Sequence, residues 1–318
     1  MTTFETYLDS LKGTLDDGLV ALLGNIADAT RRISDTLRTS SLSGLSGATD
    51  VVNVQGETQK PLDILSNDIM LDACKASAAV SFAVSEELDS EVPVHADGKY
   101  AVIFDPLDGS SNLDVNVTVG TIFSVVPATS SADLLQTGRS QIVAGFAAYG
   151  PQTCLVITTG KGVQIFTLDD SGTYVMTASD VKIVPETKEF AINAARRASW
   201  DDVVARYIEQ SIDAGYNMRW VGSMVADAYR IFNRGGVFLY PADRHKPTSG
   251  GRLRLLYEGN PMGLLVEAAG GAAIVGDIGI LDVKPTALHQ RVPVIFGSRV
   301  EVNKIAGAYT AAKVAEPA

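Results

Sequence analysis

The chain is poor in cysteine, in cationic charge and in long apolar runs, and each shortage removes a class of protein. Among 318 residues there are two cysteines, Cys74 and Cys154. Cys74 falls with Ile69, Met70, Leu71 and Ala73 on a segment of helical pattern, and Cys154 opens the apolar run Cys154-Leu155-Val156-Ile157. Both read as small buried hydrophobes rather than as halves of a disulfide, which suits a reducing compartment. Lysine and arginine number 26 against 37 acids, a net charge of −11. A nucleic-acid backbone would be repelled, so no such partner is expected. No apolar stretch reaches the ~20 residues that span a bilayer, so no membrane partner is expected either. Met1-Thr2-Thr3-Phe4-Glu5 lacks a basic segment followed by an apolar one, and Ala315-Glu316-Pro317-Ala318 carries no targeting address. The expected location is therefore cytoplasmic, or a plastid if a transit peptide has been removed. The chain shows neither an internal repeat nor a low-complexity segment.

What remains is an ordinary folding composition, 46% hydrophobic and 20% charged, long enough for one large or two medium domains. Its most informative stretch is Ile103-Phe104-Asp105-Pro106-Leu107-Asp108-Gly109-Ser110-Ser111-Asn112. The apolar run from Tyr100 to Phe104 reads as a buried strand that ends in two aspartates. Pro106 fixes the backbone between them and Gly109 permits a sharp turn. Two hard carboxylates at a strand end suit Mg²⁺, with the Leu107 carbonyl as a third oxygen. Gly109, Ser110 and Ser111 then offer the N–H and hydroxyl donors that a phosphate needs. Metal beside phosphate points to phosphoryl transfer or hydrolysis. A lone Asp-Pro-x-Asp-Gly is also an ordinary turn. Two further sets of acids weigh against that: Glu86 and Glu87 after the strand 79–85, and Glu258 after the run Leu255-Leu256-Tyr257. Acids are thus expected at the ends of several buried strands.

These motifs resemble the signature of the sugar bisphosphatases, fructose-1,6-bisphosphatase and its sister sedoheptulose-1,7-bisphosphatase. The resemblance also includes Val119-Gly120-Thr121-Ile122-Phe123, Leu62-Asp63-Ile64-Leu65-Ser66-Asn67-Asp68, Val221-Gly222-Ser223-Met224-Val225-Ala226-Asp227, Leu253-Arg254-Leu255-Leu256-Tyr257-Glu258-Gly259-Asn260-Pro261 and His289-Gln290-Arg291-Val292-Pro293, and so covers nearly the whole chain. It implies an α/β protein with layered α-β-α-β-α sugar-phosphatase packing and the active site near the join of two domains, 1–188 and 189–318. Local pattern independently places a boundary near 188, where a strand-rich region gives way to alternating helices and strands.

Apolar spacing predicts a long amphipathic helix through Leu15, Leu19, Leu22, Leu23, Ile26, Ile33 and Leu37, a Ser/Gly-rich loop over 39–47, and a helix from Leu62 to Ser77. Strands are expected at 79–85, 100–104, 119–126, 142–149, 153–159, 163–168 and 173–177, with a tight turn at Gly150-Pro151. Beyond Lys188 the pattern gives strands at 189–193, 236–240 and 292–296. Helices are expected at 201–211, 224–232, 261–269 and 300–313.

The resemblance also implies roles. Glu86, Asp105, Asp108 and Glu258 correspond to metal ligands, assisted by Glu87 and the Leu107 carbonyl, for two or three Mg²⁺ ions that Mn²⁺ can replace. Asp108, Gly109, Ser110 and Ser111 correspond to the surroundings of the 1-phosphate. Glu57 and Asp63 correspond to the water-activating pair, although the family commonly has Asp where Glu57 stands. Asn193, Arg219, Tyr240 and Arg252 correspond to the ligands of the far phosphate, with Arg252 in place of the usual Lys. Trp220 and Arg196 stand where tyrosines are usual, so this pocket is more cationic and less phenolic. Arg219 resembles an arginine supplied across a subunit boundary, which implies a homo-oligomer, a dimer or tetramer. The inhibitory nucleotide site departs from the family: Asp17-Gly18-Leu19-Val20 replaces Gly-Glu-Leu-Thr, and Pro127 stands where the family has an Arg. AMP inhibition is therefore not expected. The 39–56 loop holds no cysteine, so neither is a thiol switch.

The altered pocket, the missing nucleotide site and Asn116–Phe123 lean toward sedoheptulose 1,7-bisphosphate as substrate, with dual activity on the fructose bisphosphate. Asn193 and His289-Gln290-Arg291 lean back toward fructose 1,6-bisphosphate, the alternative. An inositol monophosphatase-like enzyme shares the Asp-Pro-x-Asp-Gly core but needs no far-phosphate pocket. A catalytically inactive metabolite sensor would not need the full set of metal carboxylates.

Overall fold

The computed structural model describes residues 1–43, 60–245 and 250–315. Three helices open the chain. Helix α1 (Phe4–Leu11) is capped by Thr3, whose hydroxyl accepts the Thr6 N–H at 3.2 Å. Helix α2 (Asp17–Thr39) is capped by Asp16, whose carboxylate accepts the Gly18 and Leu19 N–H groups at 3.0 and 3.3 Å. Helix α3 (Pro61–Lys75) begins on a proline, which costs nothing at a first helical position.

Eight strands follow: β1 (Val80–Ser85), β2 (Val92–Pro93), β3 (Tyr100–Asp108), β4 (Val119–Pro127), β5 (Val143–Tyr149), β6 (Thr153–Thr158), β7 (Gln164–Leu168) and β8 (Tyr174–Ala178). They form one sheet in the order β2-β1-β3-β4-β5-β6-β7-β8, antiparallel except where β1 lies parallel to β3. A second sheet is built from β9 (Glu189–Ile192), β10 (Asn217–Met218), β11 (Val237–Tyr240), β13 (Ala272–Val275), β14 (Ile278–Gly279) and β16 (Val294–Gly297), in the order β10-β9-β11-β16-β13-β14. Strands β12 (Leu253–Arg254) and β15 (Arg291–Val292) pair only with each other. The remaining helices are α4 (Asp202–Asp213), α5 (Met224–Arg234), α6 (Asn260–Ala268) and α7 (Arg299–Ala315).

Period-two alternation stacks these elements into five layers. Phe123, Val125, Val143 and Ala147 point from the first sheet toward α1–α3. Their neighbours Ile122, Ala144, Phe146 and Ala148 point the other way, onto α5 and α6. Those helices are covered in turn by Phe238, Val294 and Phe296 of the second sheet. Val237, Leu239 and Ile295 face outward onto α4 and α7. The order is therefore α-β-α-β-α. Cys74 lies on α3 and Cys154 on β6, both buried.

The structure departs from the sequence reading in several places. Strand β3 does not stop at Phe104 but runs through Pro106 to Asp108, because a register shift against β4 between Asp105 and Asp108 removes the need for a proline N–H. The expected strand 292–296 divides at Pro293: Arg291–Val292 pair with β12, and Val294–Gly297 join the second sheet. Glu258 ends no strand; it lies in the single π-helical turn Leu255–Gly259 that leads into α6. Leu15 precedes α2 rather than opening it, and the sequence reading passed over α1 and the β13–β14 hairpin. The loop expected over 39–47 lies, beyond Ser43, outside the described residues.

Contact between the middle helices and the first sheet depends on Gly120. A Cβ there would stand 2.1 Å from the Ala147 carbonyl oxygen and 2.6 Å from Val225 of α5. Gly120→Ala is expected to destabilise the protein by about 1–3 kcal/mol in urea unfolding, the usual cost of overpacking. Gly307→Ala, in α7 with open space around the new methyl, is expected to stabilise by about 0.5–1 kcal/mol. Equal effects of the same sign would refute the close-approach account.

Candidate active site

The site forms where β3 leaves the first sheet. The Ser85–Phe104 pairing of β1 with β3 continues as the Glu86 N–H donates to the Phe104 carbonyl at 3.1 Å, which brings Glu86 alongside Asp105. Asp105 accepts the Leu107 N–H at 2.9 Å, and the Pro106 carbonyl accepts the Thr121 hydroxyl at 2.9 Å. The Pro106–Leu107 peptide between the two aspartates is thus fastened through both its carbonyl and its N–H. Gly109 turns the chain at φ 75°, and a Cβ there would stand 2.8 Å from Ser223 Cβ. Ser110–Val115 then form a short 3₁₀ turn, held to the segment before α5 by Asn112 Nδ2 donating to the Gly222 carbonyl at 3.2 Å.

Asp108 points at the N-terminus of α5. Its Oδ2 accepts the Val225 N–H at 3.0 Å and the Ser223 hydroxyl at 3.1 Å. A helix start is a favourable place for a carboxylate, since unpaired N–H groups and the dipole both face it. Glu258 curls back in its π-helical turn, and its Oε2 accepts the Arg254 N–H at 2.5 Å. One oxygen from each of Asp105, Asp108 and Glu258 lies within 4.8 Å of the others. All three residues are more than nine-tenths buried. Burial pushes Asp108 up to about 6. It pushes Asp105 and Glu258 well above the carboxylate range, with the charge of Glu86 adding to the rise in both. Buried, mutually repelling carboxylates with only oxygen donors fit a hard divalent cation, which would remove the penalty by replacing the protons. These residues therefore suit the metal that the sequence reading expects.

Asp63 sits on the first turn of α3. Its Oδ2 accepts the Lys60 N–H at 2.8 Å, and its Oδ1 is buried with no hydrogen-bond partner among the described residues. Burial lifts Asp63 to about 6; the Lys60 N–H acts against the rise and the charge of Glu87 adds to it. Lys60 Nζ donates to the Ser110 carbonyl at 3.0 Å, tying the helix to the serine turn. Asp63, Glu87 and Ser110 are thus brought together. Ser111 is exposed one position further along that turn. Glu57 lies outside the described residues.

A second, open pocket lies beside the second sheet and is lined by Asn193, Arg196, Tyr240 and Arg252. Asn193 caps the turn Ala194–Ser199 through its Oδ1, which accepts the Ala195 N–H at 3.2 Å. Arg219 does not line this pocket. Its side chain is about half exposed and lies 3.9 Å from Glu189. Trp220 stacks on Phe238 and leans on Tyr240, with ring centroids 5.8 and 6.0 Å apart.

The sequence reading gave no role to three residues of this site, although each falls inside a motif it quoted. Arg254 is 5% exposed, with Nη2 3.4 Å from Glu86 Oε1 and Nη1 donating to the Arg252 carbonyl at 2.9 Å. Its signal was an arginine enclosed by Leu253 and Leu255, since a buried guanidinium needs an acid nearby. Ser223 holds Asp108. Asp227, buried on α5, accepts the Val221 N–H at 3.1 Å and is lifted by burial to about 7.

Comparison with known proteins agrees with this geometry. The family model described as Fructose-1-6-bisphosphatase, N-terminal domain, matches residues 3–179, and the corresponding C-terminal domain model matches 183–310. The chain is 46% identical over 315 residues to a fructose-1,6-bisphosphatase class 1 of Acinetobacter baumannii (strain SDF), covering 95% of this chain and 98% of that protein. It is also 46% identical over 316 residues to the Acinetobacter baylyi protein of the same name, with the same coverage. The crystal structure of Leishmania major fructose-1,6-bisphosphatase in holo form superposes with a TM-score of 0.92 at 34% identity, covering 98% of this chain and 99% of that one. All these names carry the fructose substrate, so they favour the alternative of the sequence reading over its lean toward sedoheptulose. That lean rested on the altered pocket, the missing nucleotide site and Asn116–Phe123, and a terminal phosphate in that pocket would be common to both sugars. Matched through both halves and over almost its full length, the chain belongs to the fructose-1,6-bisphosphatase family of phosphoric monoester hydrolases.

Proposed function

We propose that this protein hydrolyses the 1-phosphate of fructose 1,6-bisphosphate, releasing fructose 6-phosphate and inorganic phosphate, with Mg²⁺ or Mn²⁺ held by Asp105, Asp108, Glu258 and Glu86. The observation that carries the proposal is the triad of buried carboxylates within 4.8 Å beside a serine turn. When bound, the cations neutralise charge on the phosphoryl oxygens and make water more acidic. Ser110 and Ser111 hold the reacting phosphate through hydroxyls and N–H groups, with Gly109 letting the turn approach. Asp63 acts as the base: titrating near 6, it is ionised at pH 8 and its unpartnered Oδ1 accepts a proton from the attacking water. Burial sets that basicity and the charge of Glu87 adds to it, and Glu57 is the second candidate for water activation. Asn193, Tyr240 and Arg252 grip the far phosphate. The division of labour follows the proposed domains, with 1–188 supplying most of the metal site and 189–318 the far-phosphate pocket. Arg219, half exposed and outside its own pocket, serves a neighbouring subunit in a dimer or tetramer. Two buried free thiols fit work in the cytoplasm; among the described residues no helix is long and apolar enough to cross a membrane.

Asp108→Asn keeps the size of the side chain and removes its charge. Phosphate release from fructose 1,6-bisphosphate should fall by more than about 10²-fold, the lower end for loss of one electrostatic stabiliser. EDTA should abolish wild-type activity. Near-normal turnover of the variant at saturating Mg²⁺ would refute the assignment.

Metal binding should also be visible without turnover. The carboxylates of the triad are raised above their unfolded values, so their contribution to stability is present at low pH. It is lost as pH climbs through about 6 for Asp108 and higher for Asp105 and Glu258. A cation reverses this loss, so Mg²⁺ or Mn²⁺ should raise the melting temperature clearly at pH 8 and little at pH 5. A hundredfold excess over Kd corresponds to about 2.7 kcal/mol. A shift equal at both pH values, or unchanged in Asp108→Asn, would count against the triad as the metal site.

AMP at micromolar concentration should leave activity intact. The N–H groups at the start of α2 already bind Asp16, and Lys99 Nζ lies 3.4 Å from the same carboxylate. A phosphate would have to displace both. Strong inhibition in an AMP titration, abolished by changes at this helix start, would overturn the expectation.

A further inference from the structure

Four arginines belong to the segments that build the Asn193–Tyr240 pocket, and the structure divides them into two kinds. Arg197 pairs with Glu209. Arg244 pairs with Asp202 at 3.2 Å and donates Nε to the Trp200 carbonyl at 2.5 Å. Both are tied down and neither lines the pocket. Arg196 and Arg252 line it, and among the described residues neither guanidinium has a carboxylate or hydrogen-bond partner. The one acid in the lining, Asp243, accepts the His245 N–H at 2.9 Å through Oδ1. The pocket therefore holds two uncommitted guanidinium groups, a phenol and an amide against one carboxylate. Their mounts are rigid. Arg196 sits in a turn capped by Asn193 and closed by the buried Trp200, and Arg252 adjoins the β12–β15 ribbon. Two planar forks beside an amide and a phenol match a dianionic phosphate, which accepts several charge-assisted hydrogen bonds at once.

We infer that Arg196 is a second guanidinium ligand of the phosphate at the far end of the substrate. It acts beside Arg252 and adds to the hold on a group that substrate and product share. The inference rests on the proposed function, because that reaction removes one phosphate and leaves the other in this pocket. Product retention follows from the chemistry: the group that Arg196 touches is unchanged by the hydrolysis, so its contact is equal in substrate and product.

The test is calorimetric binding of fructose 6-phosphate to the full chain with Mg²⁺, using wild type, Arg196→Ala, Arg196→Lys and Arg197→Ala, with fructose as the ligand lacking phosphate. Arg196 is exposed, so its variants should fold. Arg196→Ala should weaken fructose 6-phosphate binding roughly tenfold, the scale of one charge-assisted hydrogen bond partly screened by solvent. Arg196→Lys should recover part of the loss, restoring charge without the fork. Arg197→Ala should stay within about twofold of wild type, since its charge is already paired. In steady state, Arg196→Ala should raise KM for fructose 1,6-bisphosphate and relieve product inhibition while kcat is retained. An Arg196→Ala affinity within about twofold of wild type, or an equal loss in Arg197→Ala, overturns the inference. The two readings fail separately. A wild type that binds fructose 6-phosphate through Arg196 but releases no phosphate from the bisphosphate refutes the function. A wild type that releases phosphate while Arg196→Ala binds normally refutes only the role of Arg196.

Discussion

Repulsion among Asp105, Asp108 and Glu258 is the constraint on which the rest of the structure depends. Two unit charges about 4 Å apart repel by roughly 4 kcal/mol at the effective dielectric of a protein site, and here three carboxylates are buried within 4.8 Å. Each is held by one backbone donor. Asp105 takes the Leu107 N–H, Glu258 takes the Arg254 N–H, and Asp108 takes the Val225 N–H at the start of α5. The last contact is why a helix between the two sheets must aim its N-terminus at the end of β3. It is also why no side chain fits at Gly109, where the chain passes Ser223. Arg254, beside Glu86, supplies a fixed cation from the opposite side. The fold therefore concentrates negative charge and stabilises it only in part, leaving the remainder to be met by a bound cation.

Most of the architecture was legible because it is periodic. Strands β4 to β8 alternate or run apolar over five to nine residues, and α2 carries leucines and isoleucines at helical spacing, so both periods stand out. What was not legible involves exceptions to periodicity. Pro106 inside β3 reads as a strand end, and only the register shift against β4 reconciles it with pairing. Glu258 follows an apolar run and so looked like a strand terminus. The run is a π-helical turn, and that distinction turns on one extra residue per turn rather than on composition. The hairpin of β13 and β14 is short, and its pattern merges with the Gly-rich end of α6.

The candidate site was legible in a different sense. Carboxylates after β1 and at the end of β3 advertise themselves by interrupting apolar runs. Ser223, Asp227 and Arg254 do not, because their function is to position others: Ser223 and Arg254 each serve a carboxylate far away in sequence. Asp227 folds back on its own chain at Val221. Contacts at such separations have no local signature, and the three-dimensional structure is the first place where they can be read.

The same distinction bears on the substrate, because residue changes in the Asn193–Tyr240 pocket carry little information about sugar length. Asn193, Arg196, Tyr240 and Arg252 form a pocket suited to a phosphate, and that group is the same on a six-carbon and a seven-carbon sugar. Any extra cation there changes how strongly the phosphate is held without measuring how far it lies from the reacting centre. That distance belongs to the backbone joining the two ends. Arg252 lines the pocket, and six residues later Glu258 sits among the buried carboxylates, with the β12–β15 ribbon and the π-helical turn between them. The turn from Arg219 to Val225 makes a second link, with Trp220 stacked on Phe238 and leaning on Tyr240 at one end and Val225 donating to Asp108 at the other. Both links are short and buttressed by packing or hydrogen bonds, so the spacing between the pocket and the buried carboxylates is a property of the scaffold.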